Sequence, residues 1–302
     1  MLESIGLVEK LLALRSVSAF GEFPDSELAV LASHAQLRMF DTGERLLGPG
    51  ERVQDIMVPV RGELRVSRGD EMVHSDELTA GVGMLSMLSE RPSNLHVWAA
   101  TEAVVMTIRR SLLSDALEDD FQMSLRLLQR LSVDLVAELR GVAEDRMVPD
   151  VEPDLPVDTG RDLDLVERLM LLRLSQVFRA ASMDGVAQFA KMLTPARYAK
   201  GELLWRERDA STGMLLIVDG VVGCTHSGRP TVTRYQRTGL LGTIDVLSGH
   251  KRWATARCET PVRGLWSDRE MLLDILEDNF ELTVNLLKFV AGRTLELRGV
   301  AA

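Results

Sequence analysis

Cysteine and tyrosine are nearly missing from this chain, at two each in 302 residues, and aromatic residues make up only 5%. Two cysteines, Cys224 and Cys258, cannot form a disulfide framework, which points to a reducing compartment. No apolar run approaches the ~18–20 residues that cross a bilayer. The opening Met1-Leu2-Glu3-Ser4-Ile5 lacks a basic stretch followed by an apolar one, so no secretory leader is expected and the expected location is cytoplasmic. Positive charge is short as well, with 35 Lys and Arg against 45 Asp and Glu and a net charge of −10. Sequence-independent binding to nucleic acid needs a basic field, so it is excluded as a main activity, although a local basic site is not.

Signatures of catalysis are also lacking. The five histidines (His34, His74, His96, His226 and His250) fall at no metal-ligand spacing, and no metal site is expected. There is no Gly-x-Ser-x-Gly elbow, no P-loop and no Gly-x-Gly-x-x-Gly turn. Scattered methionines, 14 in all, suit core filling better than a binding groove. The expectation is a protein that is not an enzyme and requires no cofactor.

What the chain does contain is itself, twice. Leu7-Val8-Glu9-Lys10-Leu11-Leu12 returns 158 residues later as Leu165-Val166-Glu167-Arg168-Leu169-Met170. The same shift carries Phe20 onto Phe178, Gly43-Glu44 onto Gly201-Glu202 and Gly62 onto Gly220. One extra residue enters near Leu240, so Leu117-Glu118-Asp119-Asp120-Phe121 meets Leu276-Glu277-Asp278-Asn279-Phe280 at a shift of 159. A period this long means two domains, since solenoid repeats run ~20–50 residues. Domain boundaries are expected at 1–143 and 163–302. Between them, 144–162 carries Pro149, Pro153 and Pro156 and seven acidic residues, and reads as an extended spacer.

Each copy reads as helix, short strands, helix. Leu7 to Ser16 is an apolar-periodic helix, and Pro24-Asp25-Ser26-Glu27 opens a second with Asp25 or Ser26 as its cap. Short apolar runs cut by glycines follow, such as Glu63–Val66 and Val104–Ile108, which indicates a small roll of antiparallel strands. A long helix from Phe121 to Val142 closes the first copy. Its Leu125, Leu128, Leu131, Leu135 and Leu139 form a stripe that serves either as core or as a helix-pairing seam between two chains.

This order, with Gly43-Glu44, Gly50-Glu51 and Gly62-Glu63-Leu64 at its turns, resembles the cyclic-nucleotide-binding domain of the catabolite activator protein, the kinase A regulatory subunits and gated channels. The resemblance implies tandem jelly rolls, mainly β with flanking helices. It also implies two phosphate-binding cassettes, Gly83-Met84-Leu85-Ser86-Met87-Leu88 through Ala99 and Gly242-Thr243-Ile244-Asp245-Val246-Leu247 through Cys258. In that family an arginine and the N–H groups at the start of a short helix hold the cyclic phosphate, and a cassette glutamate takes the ribose hydroxyl. By this alignment the first copy has Met84 for the glutamate and Ser93-Asn94 where arginine and its neighbour belong, so its pocket is degenerate. Arg91 lies two residues early.

In the second copy Arg252 stands at the phosphate arginine, and Gly242, Thr243, Ile244, Trp253 and Ala254 complete a candidate ligand set. Thr243 replaces the ribose acid, and Trp253 either fills the pocket or stacks on a ring. Two readings of Arg252 stand side by side, an ion pair with Asp245 or another carboxylate and a residual site for a nucleotide or other anion. Transcription factors of this family carry a helix-turn-helix after the long helix, and neither copy is followed by one, so direct DNA contact is not expected. The leading expectation is a regulatory adaptor that works through protein partners, with a homodimer through the long helices. The alternative is a sensor of a cyclic nucleotide or cyclic dinucleotide through the second copy.

Overall fold

The computed structural model describes residues 5–69, 71–72, 81–142, 145–148 and 161–299. By internal contacts they form two units. The first comprises 1–131 with 290–302, and the second comprises 132–289.

The first unit opens with α1 (Leu7–Ser16), a single 3-10 turn at Ser18–Phe20 and α2 (Asp25–His34). The expectation of Asp25 or Ser26 as the α2 cap is corrected: Pro24 holds the cap position, and Asp25 is already helical. Its carboxylate then lies in the first turn, where the helix dipole favours negative charge. Strands β1 (Gln36–Phe40), β2 (Arg45–Leu47), β3 (Asp55–Arg61), β4 (Leu64–Arg68) and β5 (Glu71–Met72) precede the short helix α3 (Met84–Ser89). After it come β6 (Leu95–Ala99), β7 (Ala103–Arg109), α4 (Arg110–Asp119) and the first half of α5 (Phe121–Gly141). The strands form two antiparallel sheets, β1-β7-β3 and β2-β6-β4-β5. Strand β7 is central in its sheet and buried from Ala103 to Ile108, which accounts for its continuous apolar run.

The second unit repeats the plan. The rest of α5 leads to β8 (Arg146–Val148), α6 (Leu165–Leu174), α7 (Met183–Met192), β9 (Thr194–Tyr198), β10 (Leu203–Trp205), β11 (Gly213–Asp219) and β12 (Val222–Thr225). Next are β13 (Val232–Tyr235), β14 (Leu240–Leu241), α8 (Thr243–Ser248), β15 (Thr255–Cys258), β16 (Val262–Asp268), α9 (Arg269–Asp278) and α10 (Phe280–Leu297). Its sheets run β10-β15-β12-β13-β8 and β14-β11-β16-β9. Both units are thus jelly-roll-like sheets flanked by helices, as expected. The two first helices differ in their caps. Asp164 and Glu167 form a reciprocal capping box on α6, whereas Gly6 has no side chain and only its N–H donates, to the Glu9 carboxylate.

Of the expected spacer, 144 and 149–160 lie outside the described residues. Within it, Arg146–Val148 is extended and pairs in parallel with β13 in the second unit's five-stranded sheet. The hairpin glycines of the two copies show why both sequences keep them. Gly62 and Gly220 have φ of +78° and +93°, and a Cβ would collide with the Glu102 carbonyl in one and the Pro261 carbonyl in the other.

The leucine stripe of α5 is core. Leu128, Leu131 and Leu135 are buried, and Leu139 and Val136 pack against the second unit's apolar cluster around Trp205, Leu215 and Trp253. Among the described residues, no helix is long and apolar enough to cross a membrane.

Candidate functional site

In the first unit the cassette positions turn inward or onto protein partners. Gly83 starts α3 in the left-handed region, and Met84 beside it has no exposed surface. Ser93 is buried, and its hydroxyl accepts the Leu95 N–H at 3.1 Å. Its own N–H donates to the Glu51 carbonyl, and its carbonyl accepts from Gly50, so the residue laces the 48–51 turn onto the cassette. Asn94 donates through Nδ2 to the Gly299 carbonyl at 3.3 Å. Arg91, the nearest cation, pairs with Glu296 at 2.6 Å. Burial alone would raise the Glu296 pKa, but bonds from Arg293 and Arg91 hold its carboxyl below the usual range.

The second cassette is built around a buried ion pair. Gly242, at φ +80°, turns the chain into α8, and its missing side chain makes room for Arg252, whose Nη1 a Cβ would strike. Arg252 is 2% exposed. Its Nη2 donates to the Gly213 carbonyl at 2.5 Å, and its Nη1 donates to the Gly242 carbonyl at 3.3 Å and to Asp245 Oδ2 at 3.4 Å. The guanidinium lies over the Trp205 ring, 3.8 Å from its centroid. Asp245 Oδ1 accepts the Trp253 N–H at 3.2 Å. Of the two readings of Arg252, the ion pair with Asp245 is present.

Burial of this pair penalises both charges. It pushes the Asp245 pKa up to about 6 against the opposing pull of Arg252 and the Trp253 N–H. The same burial lowers the Arg252 pKa from its high ordinary value, and the guanidinium stays charged. Nearby Cys224 is buried, and burial with the Asp245 charge drives its thiol pKa upward. Burial raises Cys258 to about 11, so neither thiol is poised to react.

The remaining candidates are divided. Thr243 is buried and donates to the Met214 sulfur at 3.4 Å and the Leu240 carbonyl at 3.5 Å, so its hydroxyl faces the interior. Ile244 is half-buried, and Trp253 and Ala254 belong to the apolar cluster. A cavity of about 580 Å³ adjoins the pair. Arg252 and Trp253 line it, while Gly242, Thr243, Ile244 and Ala254 do not. Its other walls come from Val133, Val136 and Arg140 on α5 and from Arg208 on the 206–209 turn.

Several of these residues escape sequence reasoning. Trp205 and Gly213 replace Leu47 and Asp55 of the first copy at the shift of 158, and that departure is the signal that could have found them. Arg140 belongs to the helix of the other copy, so no local pattern ties it to this cassette. Among the described residues, no group of three or more His, Cys, Asp or Glu is placed to hold a metal ion.

Comparison with the curated proteins found no match. Among solved structures, cAMP-bound PfPKA-R (141–441) is 13% identical, covering 98% of this chain and 92% of its own at a TM-score of 0.36. The regulatory subunit of a cAMP-independent protein kinase A from Trypanosoma brucei is 14% identical, covering 96% and 89% at 0.36. The N-terminal domain of a transcriptional regulator from Streptomyces coelicolor A3(2) is 22% identical, covering 43% and 92% at 0.38. These likenesses are weak, and the assignment rests on the sequence from β9 to α9. Over residues 195–279 that sequence matches the cyclic nucleotide-binding domain family.

Proposed function

We propose that the chain is a non-enzymatic regulatory adaptor of two cyclic-nucleotide-binding-like domains, 1–143 and 163–302, joined by the acidic segment 144–162 and acting through protein partners without a bound cyclic nucleotide. One observation carries this reading: Asp245 takes the bonds that an incoming phosphate would need. Its carboxylate accepts from a guanidinium and from a backbone N–H, the same kinds of donor that the family resemblance assigns to a cyclic phosphate. A bound phosphate would have to expel a buried carboxylate or sit beside it, and like charges in a dry site cost several kcal/mol, on the order of a lost buried ion pair. In the first domain, Met84, Ser93 and Asn94 offer no cation to meet a phosphate. Pairing of two chains through the long helices would need faces other than the leucine stripe, whose Leu128, Leu131 and Leu135 are buried.

The second reading is a sensor of a cyclic nucleotide or cyclic dinucleotide through the second domain, in the cytoplasm as for the adaptor. It draws on the 580 Å³ cavity beside Arg252, which falls in the ~300–1,000 Å³ range of small-molecule sites. Calorimetry of the full chain with cAMP, cGMP and cyclic di-GMP separates the two. The adaptor predicts flat titrations with all three. A saturable isotherm that Arg252→Ala abolishes would replace it with the sensor.

A further inference from the structure

We infer that the cavity of the second unit is a site for a nucleoside polyphosphate, gripped by Arg140, Arg208 and Lys251 rather than by Arg252. The argument begins with charge. The chain is acidic overall, at −10, yet four permanent cations (Arg140, Arg208, Lys251 and Arg252) and His250 line this one cavity. Among the described residues, the side chains of Arg140, Arg208 and Lys251 have no ion-pair partner, and all three residues are exposed. The lining carboxylate, Asp245, is buried and bonded to Arg252 and the Trp253 N–H, and Glu207, which feels the charges of Arg140 and Arg208, is one carboxylate against three outer cations, so the rim keeps a net positive charge. Like charges gathered on one rim repel, and a ligand that brings one negative charge would leave that rim in excess. A ligand with two or three phosphate charges would balance it.

Shape supplies the second part. Val133, Val136 and Trp253 give the same cavity apolar surface, suited to a flat ring, beside its cations. The rim is also anchored. The Arg208 N–H donates to the Arg252 carbonyl at 2.8 Å and the Arg252 N–H donates to the Asp209 carbonyl at 2.9 Å, which ties the 206–209 turn to the cassette. Arg252 is thereby a fixed inner support, and the outer cations are the binding groups. This site does not require the adaptor reading, because it leaves the Asp245–Arg252 pair intact.

The test is calorimetry of the full chain with ATP, GTP, inorganic pyrophosphate and cAMP at two salt concentrations. The expected result is saturable binding of ATP or GTP that weakens with salt, weaker binding of pyrophosphate and none of cAMP. Lys251→Ser and Arg140→Ser, both exposed changes, should each weaken ATP binding about tenfold while leaving the melting temperature unchanged. Flat titrations with every polyphosphate overturn this site and leave the adaptor standing, as does ATP binding that neither variant weakens. Binding of cAMP as tight as that of ATP, lost in Arg252→Ala, overturns both.

Discussion

Arg252 and Asp245 face each other inside the second unit at 3.4 Å, and the positions that align with them in the first copy are Ser93 and Ser86. Both partners are charged in one copy and both are small neutral residues in the other. Such paired change fits the energetics of buried ions. Replacing both charges together costs little, whereas removing one leaves a desolvated charge without its partner and typically costs ~3–5 kcal/mol. Each arrangement is self-consistent, and mixtures are not.

A double-mutant cycle should reproduce that logic. Asp245→Ser alone and Arg252→Ser alone should each destabilise the second unit by about 3–5 kcal/mol. The double substitution, which installs the first copy's residues, should cost clearly less than the sum, with a coupling of at least ~1.5 kcal/mol. Three of the four tryptophans, Trp205, Trp253 and Trp266, lie in this unit, so urea denaturation followed by tryptophan fluorescence reads it selectively. Additive losses would mean that the two groups do not act as a pair.

The pair also sets a pH dependence with a definite sign. Burial raises the Asp245 pKa to about 6, so the folded state holds its proton more tightly than the unfolded chain does. The stability contributed by the neutral carboxyl is therefore fully present below about pH 4, the unfolded value, and is lost as pH rises through about 6. The loss amounts to about 2–3 kcal/mol at most. Exposed carboxylates held low, such as Glu207, act in the opposite direction. The informative quantity is thus the difference between wild type and Asp245→Asn across pH 4–7.5. It should shift in favour of the variant as pH rises, and a difference independent of pH would show that Asp245 does not titrate there.

The first unit's ion pair at the equivalent cassette should behave otherwise. Arg91 and Glu296 are about 40% and 36% exposed, so solvent screens them. Arg91→Ala is expected to cost no more than about 1 kcal/mol, and less at high salt. Thermal melts at low and high salt check this, and a loss comparable to that of Arg252→Ser would mean that Arg91 has taken over the role of the missing cassette arginine.

Much of the fold was legible because its signals are local and stated twice. Helix α1 covers Leu7–Ser16 as read, and the Val104–Ile108 run is the buried centre of β7, since periodicity and turn glycines act within a few residues. The cassette was legible as an alignment, and the pairing of Arg252 with Asp245 was one of the two readings it left open. What could not be read was direction and distance. Nothing in the order Gly242-Thr243 says that the threonine hydroxyl points to Met214, and nothing local places Arg140 beside a cassette more than a hundred residues away. The leucine stripe remained ambiguous for the same reason, because a core and a helix-pairing seam share one period.

Gly242 offers the sharpest check of the site's packing. Two effects oppose any side chain there. Its φ of +80° disfavours an L-residue, and an added Cβ would meet Arg252 Nη1 and lie 3.2 Å from the Trp205 ring. The guanidinium cannot withdraw, because it is bonded to the Gly213 carbonyl and stacked on Trp205. Gly43 provides the control, with φ +85° and nothing within 4 Å of an added Cβ. Gly43→Ala should therefore cost only the backbone term, about 1 kcal/mol, while Gly242→Ala should cost about 2–4 kcal/mol as overpacking adds to it. Denaturant midpoints of the two variants measure the difference, and equal losses would mean that Arg252 is free to move away from Gly242.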